Sequence, residues 1–146
     1  MQSDRKYRLV TRSDFDGLVC AVLLKEIDLI DEILFVHPKD MQDGKVEITG
    51  RDITTNLPYV ASAYRVFDHH LSETARNTQH LDNHVIRADA PSAARVVYDY
   101  YGGKERFATV PEDMMVAVDQ ADSARYALAD ILHPHRWTLQ IGRAHV

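Results

Sequence analysis

Carboxylate and imidazole side chains recur in this sequence where predicted strands and helices end. The four groups are Asp14 and Asp16 in SDFDG, Asp52 in GRDIT, Asp68, His69 and His70 in VFDHHLSE, and Asp119 and Asp122 in VDQADS. Oxygen donors mixed with imidazole suit Mn²⁺ well, with Mg²⁺ or Fe²⁺ less favoured, and they differ from a thiolate-rich zinc site. If these segments converge, the sequence predicts a divalent metal site.

Repulsion between the carboxylates makes such a cluster unstable unless cations bind to it. Two like charges 4 Å apart repel by about 4 kcal/mol at an effective dielectric constant near 20. Several converging carboxylates therefore become protonated, move apart or bind cations. Two ions roughly 3.5–4 Å apart can share a bridging carboxylate and activate water against phosphorus. The pattern favours a two-metal phosphate hydrolase.

Each motif is weaker on its own. The DFDG segment is typical of a turn before a helix, and Asp52 alone is typical of a loop acid. Adjacent histidines at a strand end point to opposite sides, so one can bind a metal while the other faces a substrate. The order of the motifs along the chain therefore carries the prediction.

The elements that must position these groups alternate between strands and helices. The sequence predicts strands over 7–11, 32–38, 45–49, 63–70 and 84–88, and helices over 17–30, 91–103 and 111–132. This alternation predicts an α/β fold, with a mostly parallel sheet of about five strands and helices on both faces. In such sheets ligands gather outside the carboxyl ends of the strands.

Bulk properties limit the function classes. The chain has 146 residues, enough for one domain, and its net charge of −5 argues against non-specific binding of duplex DNA. Its one cysteine, Cys20, stands in an apolar segment and excludes an intrachain disulfide framework. No stretch predicts a signal peptide or a membrane span, so the sequence favours a cytoplasmic protein that acts on a small anionic phosphate substrate.

The motifs together resemble the DHH phosphoesterase superfamily over about residues 6–132. The matching segments are SDFDG, RDIT, FDHH and DQADSARY. The superfamily includes manganese-dependent pyrophosphatases, exopolyphosphatases, single-strand exonucleases, nano-RNA hydrolases and cyclic-dinucleotide phosphodiesterases. The chain looks most similar to bacterial proteins described as exopolyphosphatase-like. The resemblance therefore implies hydrolysis of polyphosphate, pyrophosphate, a short oligonucleotide or a cyclic dinucleotide.

The resemblance also implies roles for individual residues. Asp14 and Asp16 would each bind one of two Mn²⁺ ions, Asp52 would bridge them, and His69 would be a further ligand. His70 would face the substrate phosphate, and Asp68 would orient the histidines. For the fourth motif, Asp122 is favoured as the ligand and Asp119 is the alternative.

The chain departs from the family pattern before its first acid pair. Many members have a metal-binding histidine there, two or four residues earlier, where this sequence has Arg12 and Val10. One ion could therefore be weakly bound. Two interpretations of Arg12 stay open: it pairs with substrate phosphate, or it is an exposed strand end.

Domain organisation follows from the same resemblance. Residues 1–140 are interpreted as an N-terminal DHH domain, and active members carry a C-terminal substrate-binding domain that has no counterpart in this sequence. Residues 141–146, IGRAHV, resemble a translated sequencing adapter and are predicted to be non-native, the alternative being a natural C-terminus.

Two other functions remain possible from the sequence. One is a catalytically silent module that binds nucleotide or polyphosphate. The other is a receiver-like signalling domain, which the DHH triplet disfavours because a receiver has no use for it.

Overall fold

The structure is a computed structural model that describes residues 6–69, 82–87 and 89–132, without the side chains of residues 125–132. His70 and residues 141–146 lie outside this part of the chain. The elements are, in chain order, β1 (Tyr7–Arg12), α1 (Phe15–Glu26), β2 (Ile30–Val36), α2 (Pro38–Gln42), β3 (Asp52–Thr55), β4 (Arg65–Asp68), β5 (His84–Ile86), α3 (Ala93–Tyr100), α4 (Gly103–Arg106) and α5 (Glu112–Leu132).

The five strands form one parallel sheet in the order β2-β1-β3-β4-β5, so the predicted α/β class and parallel sheet are confirmed. The third strand differs from the prediction. Residues 45–49 form no strand, and the strand is Asp52–Thr55 instead. Asp52 pairs with Arg8 near the start of β1, while Thr55 pairs with Thr11 near its end.

One face of the sheet carries the larger core. Leu9, Ile53 and Phe67, from three neighbouring strands, point into it and are fully buried. Helices α1, α3 and α5 supply the rest of this core. Helix α1 packs against the sheet and the other two helices, while Phe15, Leu18 and Val22 form an exposed apolar side of the same helix.

The opposite face is covered differently. Val10 and Val66 point to it and pack against Met41, Ile48 and Leu57. Met41 belongs to α2, which has five residues, and the remaining cover comes from segments without regular structure. Helices therefore stand on both faces, as predicted, but the long ones all lie on one face.

The strand order creates a crevice between β1 and β3. After β1 the chain goes through α1 to β2 on one side, and it later crosses to β3 on the other side of β1. Ligands bind at such a reversal, outside the carboxyl ends of the two strands. Within the described residues, no helix is long and apolar enough to span a membrane.

Candidate metal centre

Three side chains from separate elements meet beyond the carboxyl ends of the strands. Asp16 lies in the first turn of α1, His69 directly follows β4, and Asp122 lies on α5. Their ligand atoms are all within 4.8 Å of one another, and each residue is at most 5% exposed. His69 Nε2 is 3.1 Å from Asp122 Oδ2. This is a buried group of two carboxylates and one imidazole.

Asp16 is held by the start of helix α3. Its Oδ2 accepts a hydrogen bond from the Ala93 amide at 3.0 Å, and its Oδ1 accepts one from the Ala94 amide at 2.8 Å. The positive end of the helix dipole stabilises a carboxylate at this position. Oδ1 can accept a further bond, so this oxygen stays competent as a metal ligand.

Gly17 permits this arrangement because α1 begins very close to the end of β1. A Cβ atom at this position would be 2.1 Å from the Arg12 carbonyl oxygen and 2.9 Å from Thr11 Oγ1. Such a contact with backbone requires the helix start to move. A glycine directly after Asp16 is therefore a condition for the position of that carboxylate.

His69 is oriented by two backbone contacts. Its Nδ1 lies 3.1 Å from the Ala90 carbonyl oxygen, which only accepts, so Nδ1 carries the proton. Its amide donates to Asp68 Oδ1 at 2.7 Å. Asp68 therefore fixes the backbone at His69, and Ala90 fixes the ring so that Nε2 points to Asp122.

The pKa values of Asp16 and His69 are both raised. Burial, together with the charge of Asp122, raises the pKa of Asp16 to about 6, although the Ala93 and Ala94 amides oppose the shift. Burial lowers the pKa of His69, but its hydrogen bond to Asp122 and the charges of Asp122 and Asp16 raise it further, so the net direction is upward. A metal ion binds the deprotonated ligands, so a bound divalent ion would displace protons from these two residues.

Asn56 also belongs to this region, and the sequence analysis missed it. It directly follows β3, is 1% exposed and has a φ of 61°. Its Nδ2 lies 3.4 Å from Asp16 Oδ2, while its Oδ1 has no hydrogen-bond partner among the described residues. The available signal was its place as the first residue after a short strand that carries two threonines.

The structure overturns the assignment of Asp52. This residue opens β3, so it lies at the amino end of the strand, away from Asp16. Its two oxygens are 2.7 and 3.1 Å from Arg8 Nε and Nη2, and its Oδ2 also accepts the Thr49 amide at 2.8 Å. The prediction that Asp52 bridges two metal ions is wrong, because the preceding strand on which it rested does not exist.

Asp119 is also placed outside the group. Its Oδ1 accepts from Ser92 Oγ at 2.8 Å, and its Oδ2 lies 3.0 and 2.6 Å from Arg95 Nε and Nη2. Of the two acids considered for the fourth motif, the structure brings Asp122 to Asp16 and His69 and engages Asp119 with helix α3.

Asp14 and Arg12 lie at the rim. Asp14 is the N-cap of α1, where its Oδ1 accepts the Gly17 amide at 2.8 Å, and its Oδ2 is 3.6 Å from Arg12 Nε. A crevice of about 110 Å³ beside the group is lined by Asp14, Phe15, Asp16, Val118, Ala121 and Asp122. Val10, in the place of a family histidine, is buried in the core.

The donor set fits a divalent cation. Two carboxylates and an imidazole converge in a region with little solvent, and Asn56 brings an amide oxygen without a partner among the described residues. Carboxylate, amide and imidazole donors suit Mn²⁺, Mg²⁺ or Fe²⁺ better than a soft metal. The buried like charges of Asp16 and Asp122 also give the protein a reason to bind one.

Comparison with solved structures identifies a relative. The pGpG-specific phosphodiesterase PggH from Vibrio cholerae is similar to this chain, with 61% sequence identity and a TM-score of 0.73. The similarity covers 92% of this chain and 43% of that protein. A scan against protein-family models and a search of curated proteins gave no match.

The identity, the five-stranded parallel sheet and the Asp68-His69-His70 triplet agree with the resemblance found in the sequence. The chain spans less than half the length of the phosphodiesterase that it matches. The chain belongs to the DHH phosphoesterase family.

Proposed function

We propose that this chain carries the metal centre of a divalent-cation-dependent phosphodiesterase that hydrolyses a short linear dinucleotide such as pGpG. The observation that carries the proposal is the convergence of Asp16, His69 and Asp122 at the sheet edge. The pGpG-specific relative, 61% identical over nearly the whole chain, supports the substrate class. The broader possibilities from the sequence, polyphosphate and pyrophosphate among them, become the comparison substrates.

Asp16, His69 and Asp122 would hold the ion, and Mn²⁺ is the ion that this donor set favours. When bound, it would supply Lewis-acid chemistry, polarising a phosphoryl oxygen and activating water. The chain's own contribution is orientation. The Ala93 and Ala94 amides fix both oxygens of Asp16, and the Ala90 carbonyl fixes the His69 ring.

His70 and Arg12 would act on the substrate. Neighbouring residues at a strand end point to opposite sides, so His70 would face the phosphate while His69 faces the ion. Arg12 lies at the rim beside Asp14 with about a third of its side chain exposed, within reach of an incoming anion. Its planar guanidinium suits a phosphate group, and Asp14 would hold it in position.

Substrate selection is assigned to a further domain. The similar phosphodiesterase is more than twice as long as the matched region, and the described crevice of about 110 Å³ is too small for a dinucleotide. We infer that a C-terminal domain closes over the strand ends and completes the substrate site. Closure would exclude water from the centre.

The test is an assay of the full-length protein with Mn²⁺ on pGpG, a cyclic dinucleotide, pyrophosphate and polyphosphate. Mn²⁺-dependent cleavage of pGpG is expected, together with its loss in Asp122→Asn. The matched control is Asp113→Asn, which removes an exposed acid from the same helix and should leave activity unchanged. Preferential cleavage of polyphosphate would overturn the substrate assignment.

The alternative of a silent binding module has a distinct outcome. Such a module would bind Mn²⁺ and a nucleotide, yet release no product from any of the four substrates. That result would overturn the proposed hydrolysis while leaving the metal centre in place.

A further inference from the structure

Asn56 is held in an unfavourable state with no structural gain in the described chain. Its side chain is buried, and its Oδ1 has no hydrogen-bond partner in residues 6–69, 82–87 and 89–132. A buried polar atom without a partner costs about 1–3 kcal/mol. Its φ of 61° adds strain that most residues avoid, although asparagine tolerates this conformation better than others. Strained, unsatisfied residues of this kind cluster at functional sites.

The surroundings indicate what Asn56 could bind. Its Nδ2 lies 3.4 Å from Asp16 Oδ2, so the amide sits against the metal-binding carboxylate. Because a carboxylate only accepts hydrogen bonds, the amino group must face it, which leaves Oδ1 for another partner. An amide oxygen is a regular ligand of hard divalent cations.

Charge limits how many cations this group can hold. Asp16 and Asp122 contribute two negative charges, while a metal-bound His69 and Asn56 are neutral. One divalent ion balances this set. A second divalent ion would leave uncompensated positive charge among residues that are at most 5% exposed, which is expensive in a region of low dielectric constant. Two further acids lie beside this group in the described chain, and both have other partners: Asp14 caps α1 and faces Arg12, and Asp68 accepts the His69 amide.

We propose that Asn56 supplies a neutral fourth donor, through Oδ1, to a centre that holds a single divalent ion. The inference rests on the metal centre of the proposed function. It differs from the sequence prediction in the number of ions, which is one per chain instead of two. Asn56 is thereby the residue that sets the ion number. A carboxylate at this position would be a third negative charge beside Asp16 and would allow a second ion to bind.

Two substitutions distinguish the effect of the Asn56 side-chain amide from the effect of the strained backbone at this position. Asn56→Gly removes the side chain, and glycine adopts a positive φ without strain. Asn56→Asp keeps the shape and adds the charge. The matched control is Asp28→Gly, at a residue with a φ of 60° that is exposed and far from the centre, so that the effect of glycine at such a backbone position is measured separately.

The experiment measures Mn²⁺ binding to the full-length protein by calorimetry and by electron paramagnetic resonance. We expect one Mn²⁺ per chain with the spectrum of an isolated ion. Asn56→Gly should weaken binding by about 10- to 100-fold, as loss of a residue that completes a metal site does. Asp28→Gly should bind like the wild type. Asn56→Asp should bind a second ion, seen as a stoichiometry of two and a spectrum broadened by coupling.

Three results would contradict the proposed role of Asn56, and a fourth would contradict the proposed function. Two ions per wild-type chain, or an unchanged affinity in folded Asn56→Gly, would overturn the inference and leave the phosphodiesterase proposal standing. If Asn56→Gly does not fold, Asn56→Asp with a stoichiometry still at one overturns it. Absence of any Mn²⁺ binding by the wild type would overturn the proposed function itself.

Discussion

Arg95 and Asp119 connect helices α3 and α5, with Arg95 Nη2 2.6 Å from Asp119 Oδ2. The same carboxylate accepts from Ser92 Oγ, and Ser92 is the N-cap of α3. The next two amides of α3 are those that hold Asp16. Asp119 therefore positions the helix start that holds Asp16, a proposed metal ligand, and it lies about one turn before Asp122 on the same helix.

Asp119→Asn and Asp122→Asn should have separable effects. Asp119→Asn weakens charge-assisted hydrogen bonds to Arg95 and should lower the free energy of unfolding by about 1–3 kcal/mol, while Mn²⁺ still binds. Asp122→Asn removes a ligand and should lower Mn²⁺ affinity by more than about 100-fold. Urea unfolding and calorimetry measure the two quantities. Equal loss of Mn²⁺ affinity in both variants would mean that Asp119 acts at the ion.

His69→Ala should abolish tight Mn²⁺ binding, because it removes the imidazole of the donor set. Calorimetry on folded protein measures the affinity directly. His84→Gln is the control, since His84 opens β5 and so lies at the amino end of its strand, away from the centre. Unchanged affinity in His69→Ala would refute the role of His69.

The free energy of unfolding of ion-free Asp16→Asn, relative to that of the wild type, should rise with pH. The pKa of Asp16 is about 6 in the folded protein against an ordinary 3.8, so the folded state binds the proton more tightly than the unfolded chain. Its contribution to stability is fully present below about pH 4 and is lost as the pH rises through 6, which amounts to about 3 kcal/mol. His69, whose pKa is also raised, acts in the same direction at higher pH.

Urea unfolding with a chelator, at about pH 4 and about pH 7, measures that effect. The difference in unfolding free energy between Asp16→Asn and wild type should grow in favour of the variant as the pH rises. A difference that does not change with pH would show that Asp16 ionises normally.

Asp52→Asn should reduce stability and leave the centre intact. Its carboxylate is almost fully buried and binds Arg8 and the Thr49 amide, so its loss should cost about 1–3 kcal/mol. Mn²⁺ affinity should stay at the wild-type value, because Asp52 lies at the amino end of β3. A loss of Mn²⁺ affinity in folded Asp52→Asn would contradict the strand assignment.

Gly17→Ala should be severely destabilising, by more than about 4 kcal/mol, because the added Cβ meets the Arg12 carbonyl oxygen at 2.1 Å. Gly50→Ala is the control, as a Cβ there meets nothing within 4 Å and should change stability by less than about 0.5 kcal/mol. Thermal unfolding compares the two. Wild-type stability in Gly17→Ala would mean that the turn after β1 is not tightly packed.

Much of the fold was predictable because it follows local periodicity. Strand β1 and helices α1, α3 and α5 stand close to their predicted places, and a parallel sheet brings the residues after each strand to one edge. That rule alone is enough to bring Asp16 and His69 together. Helix α2, with five residues, has no periodic pattern long enough to predict.

The third strand was not predictable, and the error moved the site. The segment KVEIT alternates apolar and polar residues like a strand, but Val46 and Ile48 pack onto the sheet from outside it. The true strand, DITT, is fixed by its pairing with β1, a contact between residues distant in the chain. Asp52 was therefore predicted at the wrong end of the strand. Asn56 was missed because it is uncharged and because the strand that it follows was not predicted.

The four proposed donors come from segments spread over almost the whole described chain, from the start of α1 to the third turn of α5. No fragment that stops before α5 can assemble them. A nascent or partly unfolded polypeptide therefore lacks the geometry to capture the cation. On the proposed function, catalytic competence would arise only once folding is complete. A bound cation would in turn protect the chain from degradation, since a ligand that binds only the native state lowers the unfolded population.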